Sequence, residues 1–230
     1  MTVKLSQIAW SPCHRLVASR YPVVGVYDRA ADPADLDVVL AIEALTNPLL
    51  RQEREQLSLI PADNRVTGPG ASLIMSAFVH PNPQGSRFSN GSFGVYYASN
   101  AIETAVAEVS HHRARFLACT KEPPIDIDVR WIQADLRERL HDLRGRQHEY
   151  PDVYARDSYR TSQAFGQQLR GERSAGIVYD SVRRFVGQCV AVFKPTALTN
   201  AHSVGHIGLR WDGAAISHWF IKGQVRDVGA

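Results

Sequence analysis

Residues 85–109 read GSRFSNGSFGVYYASNAIETAVAEV, and this stretch decides the fold. Its first half is crowded with Gly, Ser and Asn, which supply positive φ angles and side-chain turns, so it forms a loop. FGVYYAS follows, aromatic and β-branched, and reads as a strand. From Ala101 the residues Ile102, Ala105, Val106 and Val109 recur at helical spacing, with Ser99 or Asn100 available as the cap of a helix reaching to about Arg115. The same path carries groups fit for chemistry. Arg87 sits in the Gly-flanked loop, where a guanidinium can clamp phosphate oxygens in pairs. Tyr96 and Tyr97 are successive strand residues and face opposite sides of the sheet, so one enters the core while the other can line a cleft. Glu108 lies beside the apolar stripe of the helix, either solvated at its edge or buried there because its charge is used.

Outward from this block, strands and helices alternate. On the N-terminal side DPADLDVVLAIEALTNP places Asp32 as N-cap and Pro33 at the first helical position, with Leu36, Val39, Leu40 and Leu45 on one face; the helix ends near Thr46 and packs on the core. Residues 51–69 are irregular, and the apolar run from Ala71 to Val79 is a strand or a short buried helix. On the C-terminal side IDIDVRWIQADL alternates as a half-buried strand and turns helical around Asp135. Residues 141–173 form a polar loop leading into a helix that ends by Gly171. GIVYDS and QCVAVF are two further strands, and WDGAAISHWFIKG closes the chain as a hairpin. No repeat or Gly/Ser linker divides the chain. The expectation is a single α+β domain over residues 1–230 with a mixed β-sheet core flanked by helices and an N-terminal helical extension at about 32–60.

Composition narrows the function classes. The chain has 230 residues, 44% of them hydrophobic, enough for a substantial core. The 26 Lys and Arg are interleaved with 23 Asp and Glu, so no basic patch suited to nucleic acid emerges. Cys13, Cys119 and Cys189 lack the close pairing of a zinc or redox motif and read as buried thiols in a reducing compartment. No run approaches the roughly 18 apolar residues of a membrane span, and no signal peptide is visible, so a cytoplasmic protein is expected. GxxxxGK[ST], a strand-borne GxGxxG and GxSxG are all missing, which disfavours phosphate-loop hydrolases, dinucleotide dehydrogenases and nucleophile-elbow hydrolases. His202 and His206 are four apart but flanked by Gly205 and Gly208, which favours loop over a metal site, and no metal is expected. His111 and His112 are read as meeting the dipole at the helix C-terminus. Ser181 ends the GIVYDS strand, where ligand sites commonly lie, although a turn role alone would account for it.

Taken together, SRFSNGSFGVYYASNAIETAVAEV and GIVYDSVRRFVGQCVAVFKP resemble the two signature blocks of the RES-domain family, named for its Arg, Glu and Ser. HRLVASRYPVVGVYDRAADPADLDVVLAIEALTNP resembles the opening of the family's longer members, so the resemblance spans about residues 14 to 195. It sets the family's Arg on Arg87, its Glu on Glu108, its Ser on Ser181, an earlier arginine on Arg15 and the site tyrosine on Tyr97, with Tyr96 adjacent. Some members carry a second tyrosine directly after the first arginine; this chain has Leu16. The resemblance implies an ADP-ribosyltransferase-like fold and the toxin of a bacterial toxin–antitoxin pair, with NAD as co-substrate. It also implies a cognate antitoxin, helical and DNA-binding, that blocks the pocket. Cleaving the nicotinamide–ribose bond builds positive charge on the ribose carbon, which the Glu108 carboxylate would stabilise. Arg15 and Arg87 would hold the pyrophosphate, Tyr97 would stack on nicotinamide, and Ser181 would bond the nicotinamide or ribose. The expected reaction is transfer of ADP-ribose to a cellular protein. Phosphate or water as acceptor is the alternative, and a non-enzymatic interaction protein with a vestigial pocket is the alternative of another class.

Overall fold

A computed structural model describes residues 3–20, 25–30, 32, 36–43 and 55–223. The spine of the fold is one long strand, β3 (Ile125–Asp142). The sequence predicts that it turns helical near Asp135, but it stays extended for seven further residues. Leu136 and Leu140 are fully buried and four apart, a spacing that serves one face of a helix and one face of a strand equally well. Pairing decides between them. β1 (Leu5–Ala18) runs antiparallel to β3 from Leu5↔His141 to Ala18↔Val129, and this ladder overrides the helix propensity of the intervening Arg, Glu and Leu.

β3 carries a second ladder on its other edge. β6 (Leu198–Trp211) pairs with it antiparallel from Ile125↔Trp211 to Leu136↔Leu198, and beyond that β4 (Gly176–Asp180) pairs with it in parallel at His141 and Asp142. β4 is antiparallel to β5 (Gln188–Val192), β5 to β2 (Tyr96–Ser99), and β2 returns to β1 at His14↔Ser99. The pairings therefore close a ring, β1–β2–β5–β4–β3, from which β6 and β7 (Ile216–Ile221) extend. The sheet is mixed, as the sequence predicts, and its register across the ring rests on contacts between residues far apart in the chain.

The hairpin of β6 and β7 forms as read, but β6 begins earlier, and the segment around His202 and His206 is strand rather than loop. Gly208 explains the misreading. A Cβ there would lie 2.4 Å from the Phe220 ring, so the glycine makes room for an aromatic ring from the neighbouring strand instead of breaking β6.

Helices cover the sheet. Val26–Arg29 (α1) and Leu36–Glu43 (α2) precede Ala71–Val79 (α3), which is the short buried helix of the two options its sequence left open. Leu36 and Leu40 are fully buried and Val39 packs against the same cluster, while Val38 and Ile42 are exposed, so α2 presents the face its periodicity predicts. Asp32, the expected cap, is exposed; Pro33 at the first helical position and the end at Leu45 and Thr46 lie outside the described residues. In the 51–69 stretch, residues 55–58 are helical and Ala62–Asn64 make a single 3-10 turn. Gly94 admits α3: a Cβ on it would sit 2.3 Å from the Phe78 Cα.

The helix after β2, α4 (Ile102–Thr120), runs about one turn past the predicted end at Arg115, and Lys121 terminates it in the left-handed region with its N–H bonded to the Leu117 carbonyl. Neither predicted residue caps its start. Asn100 is spent on β5, its Oδ1 accepting the Gln188 N–H at 3.2 Å, and Ser99 Oγ faces Cys189 Sγ at 3.4 Å. α5 (Arg160–Gly171) ends where the sequence places it. No helix among the described residues is long and apolar enough to cross a membrane.

Candidate active site

The loop before β2 is locked by its own hydrogen bonds, backbone and side chain. Gly85 N–H donates to Asn82 O at 2.8 Å, Ser86 N–H to Ser89 O at 2.7 Å, and Ser89 Oγ to Phe93 O at 2.6 Å. Gly85 and Gly91 take positive φ, which these turns require. α5 clamps the loop from outside: Gln163 Nε2 donates to Ser86 O at 3.0 Å, and Gly166 lets the helix lie on Phe88, since a Cβ there would be 2.2 Å from Phe88 O. Phe88 plugs the core, and Arg87 is left 6% exposed.

The buried Arg87 guanidinium is only partly satisfied. Nη1 donates to the carbonyls of Val153 at 3.1 Å and Ala155 at 3.0 Å, and the group stacks on the Tyr159 ring at 4.8 Å. Nη2 is buried without a hydrogen-bond partner. Such an orphan is costly inside a protein, and a bound anion would satisfy it.

β2 delivers its tyrosines to opposite sides. Tyr96 is fully buried under the Arg15 guanidinium, 4.6 Å from its ring centroid. Tyr97 lines the cleft; its hydroxyl accepts the Phe88 N–H at 2.9 Å and shares a 2.8 Å bond with Ser86 Oγ. Burial pushes its phenol up to about 12, so it is a neutral hydroxyl tied to the Arg87 loop. Arg15 reaches the same wall from β1, Nη1 donating to Tyr97 O at 3.1 Å. Desolvation lowers the Arg15 pKa, and its Nε is buried without a partner.

Glu108 projects into the cleft from α4, and Ser181 at the end of β4 holds it. Ser181 Oγ accepts the N–H groups of Arg183 and Arg184, each at 3.0 Å, and donates to Glu108 Oε1 at 2.6 Å. Two incoming hydrogen bonds fix where the hydroxyl proton points, so the carboxylate is oriented by a rigid strand end rather than by water. Ser181 is half-buried and meets the cleft through Glu108. Cys189 Sγ lies 3.8 Å from the same oxygen, and burial together with the Glu108 charge drives its thiol pKa well up, so it is a protonated neighbour.

These pieces share one cleft of about 1150 Å³, lined by Arg15, Arg87, Tyr97 and Glu108. That is at or beyond the upper end of the roughly 300–1,000 Å³ usual for small-ligand sites, and ample for a dinucleotide. The RES domain family model matches residues 64–212, a span that contains Arg87, Glu108 and Ser181. The chain belongs to the RES domain family. It is 29% identical over 209 residues to the uncharacterized protein y4oC of Sinorhizobium fredii (strain NBRC 101917 / NGR234), covering 89% of this chain and 84% of that protein. Among solved structures it resembles a chain of the M. tuberculosis MbcT–MbcA toxin–antitoxin complex, with a TM-score of 0.48 and 13% identity over 87% of this chain and 86% of that one.

The RES domain cleft also contains residues that the sequence did not assign to a site. Tyr159, under Arg87, comes from the polar stretch before α5 and has no local signature. His112 lies in the middle of α4, not at its end, and lines the cleft one turn beyond Glu108. The four-residue spacing of Glu108 and His112 on one helix is the sequence signal that points to it. Cys119, expected to be buried, is exposed at the cleft margin. His202 and His206 remain apart from the cleft, and no group of three metal-ligating side chains occurs among the described residues.

Removing the Ser181 hydroxyl frees the Glu108 carboxylate to rotate. Ser181→Ala is expected to lower turnover about 10- to 100-fold with little change in KM, since one hydrogen bond to a charged group is worth about 1.5–3 kcal/mol. Steady-state kinetics on the variant check this, and an unchanged kcat refutes the orienting role.

Proposed function

We propose that this RES domain protein cleaves the nicotinamide–ribose bond of NAD, transfers ADP-ribose to a cellular protein, and serves as the toxin of a toxin–antitoxin pair. The observation that carries the reading is the joint presence in one cleft of a carboxylate held by Ser181 and a buried guanidinium with a free Nη2. As the glycosidic bond lengthens, the ribose carbon becomes cationic, and an oriented carboxylate lowers the energy of that state more than that of the ground state. Arg87 Nη2 and Arg15 Nε supply donors for the pyrophosphate oxygens. Tyr97 offers the ring for nicotinamide, and Glu108 is the group on which rate depends. The cognate antitoxin would act by covering this cleft.

The test is purified protein incubated with NAD and a cell lysate, with nicotinamide followed by chromatography and products by mass spectrometry. Nicotinamide release with an ADP-ribosyl mass added to a protein is the expected result. Release with ADP-ribose 1″-phosphate or free ADP-ribose instead moves the acceptor to phosphate or water. No release under any of these conditions refutes NAD cleavage and leaves a partner-binding protein.

A further inference from the structure

His112 is the cleft side chain whose chemistry the reading above leaves unused. It follows Glu108 by four residues on α4, so the two rise from one helix face about 6 Å apart and enter the same cleft. Its ring meets Tyr159 edge-on at 6.4 Å, and Tyr159 in turn lies under Arg87, which fixes the imidazole where the helix wall meets the Arg87 wall. Neither ring nitrogen makes a hydrogen bond within the described residues, in contrast to His14, His141, His202 and His218, whose rings do. An exposed imidazole with free nitrogens therefore opens onto the reaction space.

Its surroundings keep it neutral. The groups around it are His111 on the same helix with ring centroids 5.5 Å apart, Arg115 further along α4, Arg183 from the loop after β4, Arg87 from the loop before β2, and Tyr159. Asp157 and Glu108 are the carboxylates of the same cleft. Partial loss of solvent at the helix wall first, and then the neighbouring cations, lower the His112 pKa to about 4. At neutral pH the ring is therefore unprotonated and its nitrogens are free to accept a proton, while Glu108 is committed to the Ser181 hydroxyl and to facing the ribose cation.

Resting on the proposed NAD cleavage, we infer that His112 is the general base that deprotonates the acceptor. The C1′–N bond breaks with its electron pair leaving on nicotinamide, which departs neutral. A lone pair of the acceptor heteroatom forms the new bond to C1′. The proton on that heteroatom passes to a His112 ring nitrogen, and the resulting imidazolium returns it to water.

His112→Phe retains a ring against Tyr159 and removes the base. It is expected to keep the KM for NAD within about twofold and to lower kcat about 10²- to 10³-fold, in the range of general-base catalysis. Added imidazole is expected to restore turnover in proportion to the free-base fraction of imidazole between about pH 6 and 8. His112→Gln, which keeps a polar side chain, must show the same loss and the same rescue, and His148→Gln, an exposed histidine outside the cleft, must show neither. Wild-type turnover in His112→Phe, or a loss expressed in KM that imidazole does not relieve, overturns the role. Either outcome is read against active wild-type enzyme, so it is distinct from a wild type that releases no nicotinamide, which overturns NAD cleavage itself.

Discussion

Glu108→Gln is expected to lower nicotinamide release from NAD about 10³-fold while shifting the melting temperature by no more than about 2 °C. Glutamine matches glutamate in shape, and its Oε1 can still accept the Ser181 hydroxyl, which in the wild type is 2.6 Å away. The substitution removes only the negative charge. A factor of 10³ corresponds to about 4 kcal/mol of transition-state stabilisation, the upper part of what one preorganised electrostatic group contributes in a cleft shielded from water. Stability should hold because Glu108 is only partly buried and makes no salt bridge among the described residues. The two measurements are chromatographic assay of nicotinamide and thermal unfolding of both proteins. A glutamine variant keeping more than a tenth of wild-type activity would remove Glu108 from the centre of the reaction.

The arrangement around Glu108 shows which parts of the site a sequence can reveal. Loop, strand and helix in residues 85–109 were legible because each is announced locally: glycines and serines for the turns, an aromatic run for β2, and a 3.6-residue period for α4. Even the opposite facing of Tyr96 and Tyr97 follows from the strand pleat alone. The link between Glu108 and Ser181 was not legible. It joins residues 73 apart and depends on β4 and β2 both pairing with β5, which no local pattern announces. Arg15 belongs to the site for the same reason, since β1 is placed beside β2 by a single register pair and held there by its long ladder with β3. The resemblance to the RES domain supplied these associations before the topology did, by placing Arg15, Arg87, Glu108 and Ser181 in one set.

The errors share a cause as well. Leu136 and Leu140 in β3, and Gly205 and Gly208 in β6, were read by local preference, helix for the first pair and loop for the second. In both strands a partner decided otherwise: β1 extends β3, and Phe220 of β7 fills the space above Gly208. The early end given to α4 had a functional consequence. A helix that stops near Arg115 has His111 and His112 in its last turn, where the dipole offers a sufficient structural role; α4 carries both in its middle.

Arg87 is where stability and binding are most tightly joined, and its variants are expected to separate the two. Arg87→Ala deletes both hydrogen bonds to the Val153 and Ala155 carbonyls and the stack on Tyr159, freeing the segment that carries Tyr159 from the loop before β2. A loss of about 2–4 kcal/mol of folding stability is expected, from two bonds to a charged donor and a vacated buried site. Arg87→Lys keeps a cation but not the planar fork, and one ammonium cannot both bond those carbonyls and present a second donor in the Nη2 direction. It is expected to cost less stability, about 1–2 kcal/mol, while raising the KM for NAD about 30-fold, the equivalent of about 2 kcal/mol for one charge-assisted bond to phosphate. Urea unfolding measures the first quantity and initial-rate kinetics the second. If Arg87→Lys unfolds like Arg87→Ala yet binds NAD as the wild type does, the free Nη2 is a structural defect of the fold and not a donor held for the ligand.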